Sequence, residues 1–92
     1  MLRSPDEYRI KLINKILFAT SQEDVMRFIE TAMKALEKNK VNGHIICRFA
    51  EKMISHLESF SPMEEEAQQW SNIKIAMILF NRIQKQLNSP VY

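Results

Sequence analysis

From Gln22 to Asn39 apolar and charged residues recur on a helical period. Val25, Met26, Phe28, Ile29, Ala32, Met33, Ala35 and Leu36 fill one half of the helical circumference, and Glu23, Arg27, Glu30, Lys34, Glu37 and Lys38 fill the other. This division predicts a helix with one face packed inward and one in water. Residues 44–60 repeat the pattern with a narrower stripe of Ile46, Phe49, Ala50, Met53, Leu57 and Phe60. Residues 5–19 carry a wider arc. Tyr8, Leu12 and Ile16 lie on one side of it and Ile10, Ile13 and Leu17 on the other, so this helix should touch more than one neighbour.

The last helix departs from a single-faced pattern. Its first half has a stripe of Met63, Ala67, Trp70, Ile73 and Met77, and its second half shifts to Ala76, Phe80, Ile83 and Leu87. Ile75, Ile78 and Leu79 lie off both stripes, where a one-sided helix would be polar. A helix over 62–87 would run ~39 Å, against roughly 22–27 Å for the other three. It should therefore be central, with neighbours on several sides, or have its surplus apolar surface covered by a second subunit. A third possibility is that the three shorter helices wrap it completely. A buried strand over Ile73–Phe80 is rejected, because no turn residues bracket the run and no partner strand is available.

Start signals divide the helices. Ser4-Pro5-Asp6-Glu7 and Ser61-Pro62-Met63-Glu64 both read as capping boxes with proline at the first helical position. Ser21 and Asn42 read as weaker N-caps, and Asn39–Gly43 breaks the pattern between the second and third helices. Glu64, Glu65 and Glu66 at the start of the last helix, with Arg82 and Lys85 near its end, suit the helix macrodipole. Acid-before-base pairs at four-residue spacing are expected at Glu7–Lys11, Glu23–Arg27 and Glu30–Lys34. The expectation is an all-α fold: one compact, antiparallel four-helix bundle-like domain over residues 1–92. Its helices run at about 5–19, 22–39, 44–60 and 62–87, with a tail at 88–92.

Composition agrees with this picture. One glycine and three prolines in 92 residues are too few for the turns of an all-β fold. A net charge of +2 does not by itself imply a nucleic-acid or membrane partner. The N-terminal stretch carries acids and lacks an apolar core, so no signal peptide is expected. The longest apolar run, Ile75–Phe80, is far short of the ~20 residues a bilayer needs. The lone Cys47 excludes an intrachain disulfide and fits a reducing compartment, so a cytoplasmic protein is expected.

Candidate chemistry is sparse. His44, Cys47 and Glu51 share an outward face of the third helix and form a weak metal alternative, since zinc normally takes four ligands. His56 borders the apolar stripe instead. No base is arranged for Cys47 and no glycine-rich phosphate loop is present, so neither an enzyme nor a cofactor is expected. A basic cluster of Arg3, Arg9, Lys11 and Lys15 on the first helix gives an alternative reading as a small nucleic-acid-associated regulator. The exposed side of the third helix alternates acids with bases, which suits phosphates poorly. The leading expectation is a non-enzymatic helical interaction or assembly module. Its partner would be a second copy or another protein, not a membrane. The surface lies on the last helix, with Trp70, Ile75, Ile78 and Leu79 as candidate interface residues.

Overall fold

The computed structural model describes residues 5–61 and 63–88, apart from the side chains of residues 5 and 88. It contains four helices: α1 (Pro5–Leu17), α2 (Gln22–Lys38), α3 (Gly43–Glu58) and α4 (Ala67–Asn88). No strand occurs among the described residues. They pack in the manner of a helix bundle, with α3 against α4 as the most extensive contact.

The Ser21 side chain caps α2 as expected, accepting from the Asp24 N–H at 3.2 Å. Asp24 in turn accepts from the Thr20 hydroxyl at 2.8 Å and pairs with Arg27 at 2.6 Å. Arg27 thus turns to Asp24 rather than to Glu23, because the cap has already placed the Asp24 carboxylate over the first turn. Asn42 opens α3 by accepting from the His44 N–H at 2.8 Å.

Between these two helices the chain reverses through a Schellman closure. Val41 donates its N–H to the Leu36 carbonyl at 3.0 Å and Lys40 donates to Glu37 at 2.9 Å. The left-handed position falls on Lys40, with φ 57°, while Gly43 does not take a positive φ. The only glycine therefore sits three residues past the site where its freedom would be used.

The start of α4 corrects the expected boundary. The capping box placed it at Pro62, a residue outside those described, and the helix begins at Ala67 instead. Ser61, Met63 and Glu64 form an isolated turn, in which the Ser61 hydroxyl accepts from the Met63 N–H and the Ser61 carbonyl from the Glu64 N–H. Met63, assigned to the apolar stripe, is 95% exposed. A helical turn there would place three adjacent glutamates together with no buried side chain to hold it, and packing, more than propensity, stabilises helices of this length. The first intrahelical bond runs from the Trp70 N–H to the Glu66 carbonyl at 2.9 Å. The 22 residues of α4 span about 33 Å, still the longest of the four. The expected cap at Ser4 and the tail at 89–92 also lie outside the described residues.

α4 is the central element. It contacts α1, α2 and α3, whereas α2 and α3, although consecutive, barely meet. Ile73, Ala76 and Phe80 of α4 are fully buried among Ile16 of α1, Val25 of α2 and Met53 and Leu57 of α3. α1 contacts all three of its neighbours, in keeping with its wide apolar arc, although Ile10 on that arc is exposed. Tyr8 packs edge-on against Phe49, with ring centroids 5.8 Å apart, and burial raises its hydroxyl pKa above the ordinary value. The phenol is therefore neutral throughout the physiological range.

Among the described residues one polar side chain is buried in this core. Asn72 of α4 is 0% exposed. Its amide nitrogen donates to the carbonyls of Ala19 at 2.9 Å and Leu17 at 3.4 Å, and its oxygen accepts from the Gln68 amide at 2.9 Å. α1 ends at Leu17, and the last carbonyls of a helix have no intrahelical donor. Asn72 supplies that donor across the core.

Three substitutions test these assignments. Asn72→Ala leaves the Leu17 and Ala19 carbonyls without this donor and should cost about 2 kcal/mol in chemical denaturation. Asn81→Ala, which removes an exposed bond to Met77, should cost less than ~0.5 kcal/mol. Lys40→Gly should stabilise the fold by about 0.5–1 kcal/mol, because the left-handed conformation strains a side chain and not glycine. A loss of stability in that variant would show that the Lys40 side chain makes a compensating contact.

Candidate functional site

An open groove of about 610 Å³ lies between α2 and the C-terminal half of α4. Its base contains the buried Ile29 and Ile46, and its apolar walls are Met26 and Met33 on α2 and Leu79, Ile83 and Leu87 on α4. Glu30, Lys34 and Glu37 border it on the α2 side, and Arg82 and Gln86 on the α4 side. The groove follows from the topology. α2 and α3 scarcely touch, so the α2 side of α4 is covered by α2 alone. Met26 was assigned by periodicity to the packed half of α2, and Leu87 to the second stripe of α4. They are 43% and 42% exposed because the groove opens beside them. Unbranched thioethers on one wall allow that wall to adapt its shape.

The four residues singled out on the last helix separate. Trp70 is half-buried and packs against the core, so it anchors the bundle. Ile75 and Leu79 are half-buried, with Leu79 also lining the groove. Ile78 is 59% exposed. At about 100° per residue it lies roughly 160° around α4 from both Ala76 and Phe80, which places it opposite the core. Neighbours on three sides therefore cover much of the surplus apolar surface of α4, and what remains open runs from Ile78 across Leu79 into the groove. Periodicity could identify the off-stripe residues. It could not identify the groove, which depends on how far apart α2 and α3 stand.

The basic cluster on α1 is divided. Arg9 is paired with Asp6 at 2.8 Å. Lys15 holds its ammonium 6.0 Å from the centroid of the Phe28 ring. Lys11 is exposed and lies about 160° around the helix from Arg9. Arg3 is outside the described residues. On α3, His44 and Glu51 are exposed and Cys47 is half-buried. Among the described residues no group of three His, Cys, Asp or Glu side chains is placed to hold a metal ion. His56 stacks on Phe60 with centroids 5.7 Å apart and an interplanar angle of 16°, so this imidazole serves as a packing surface. Among the described residues no helix is long and apolar enough to cross a membrane.

Comparison with protein-family models, curated proteins and solved structures finds no match to this chain. A double-mutant cycle of Lys15→Gln with Phe28→Leu should read a coupling of about 0.5 kcal/mol by chemical denaturation. Zero coupling would release Lys15 from its structural role and return it to the basic surface.

Proposed function

We propose that the protein is a non-enzymatic helical assembly module that associates with a second copy of itself through α4. The observation that carries this reading is the apolar strip that runs from Ile78 across Leu79 into the Met-walled groove, which Glu30, Lys34, Glu37 and Arg82 border. Contiguous apolar surface rimmed by charged residues is characteristic of interaction sites, because burying it returns free energy that the monomer leaves unused. Chain length works in the same direction. A domain of 92 residues buries a modest fraction of its surface, and association adds to a core that is small by itself. The thiol of Cys47 suits a reducing, cytoplasmic setting.

Light scattering coupled to size exclusion tests the reading. At high micromolar concentration the mass should be about twice that of the 10.9 kDa chain. Ile78→Asp should reduce it to the single-chain value with helical content unchanged, since Ile78 makes little contribution within one chain. A wild-type protein that stays strictly monomeric would eliminate self-association.

A further inference from the structure

We draw no further inference here: the strongest candidate, the apolar groove between α2 and the C-terminal half of α4 with the exposed Ile78 beside it, is bordered by Lys34 and Arg82 as well as by Glu30 and Glu37, and nothing in the structure shows what covers it.

Discussion

The position of α4 depends on one buried amide. α1 stops at Leu17 with carbonyls that no intrahelical N–H can reach, and Asn72 meets two acceptors of that segment from the opposite side of the core. Unpaired, those groups would each carry a desolvation cost comparable to a large share of a small domain's net stability. Asn72 itself is tolerated only because Gln68 completes it, and among the described residues no buried side-chain nitrogen or oxygen lacks a partner. Apolar contacts can slide along a helix at modest cost, but a satisfied buried amide cannot. The pairing therefore sets the axial register of α4 against α1, and Ile73, Ala76 and Phe80 fall into the centre as a consequence.

With that register held, the rest of the architecture becomes a matter of coverage. α1, α2 and α3 all pack against α4, and α2 and α3 stay apart. A central helix with neighbours on three sides still has a fourth, and Ile78 lies on it. The same separation that opens the groove beside Met26 and Met33 leaves the outer face of α4 adjacent to it. The exposed Ile78 and the groove beside Leu79 thus arise from one packing choice.

The charged residues divide by role in the same way. Asp6–Arg9 and Asp24–Arg27 are short-range pairs within single helices, and Asp24 is partly committed to the end of α2. Such pairs contribute little to stability on an exposed surface. Among the described residues Glu30, Glu37 and Arg82 enter no ion pair, and together with Lys34 they border the groove. Lys15 over Phe28 shows a third use, in which a cation covers an aromatic face that would otherwise meet water.

The sequence by itself determined the all-α class, the number of helices, the caps at Ser21 and Asn42, and most of the inward residues of α2 and α3, Met26 and Ile54 being the exceptions. These follow from hydrogen bonds and side-chain spacing within one or two turns, which a linear chain states directly. It also marked Ile75, Ile78 and Leu79 as apolar residues without a place on a single face. The tertiary structure decided the rest. It moved the start of α4 from Pro62 to Ala67, because a cap without packing does not hold a turn, and put the left-handed residue at Lys40 rather than at the glycine. Asn72 left only a faint local trace, an amide beside Ile73 and Ala76, since its acceptor at Ala19 is 53 residues away. Which part of the apolar surface of α4 stays open was equally illegible, because it depends on the gap between α2 and α3, and that gap is set by contacts through α4 rather than by the short segment joining them.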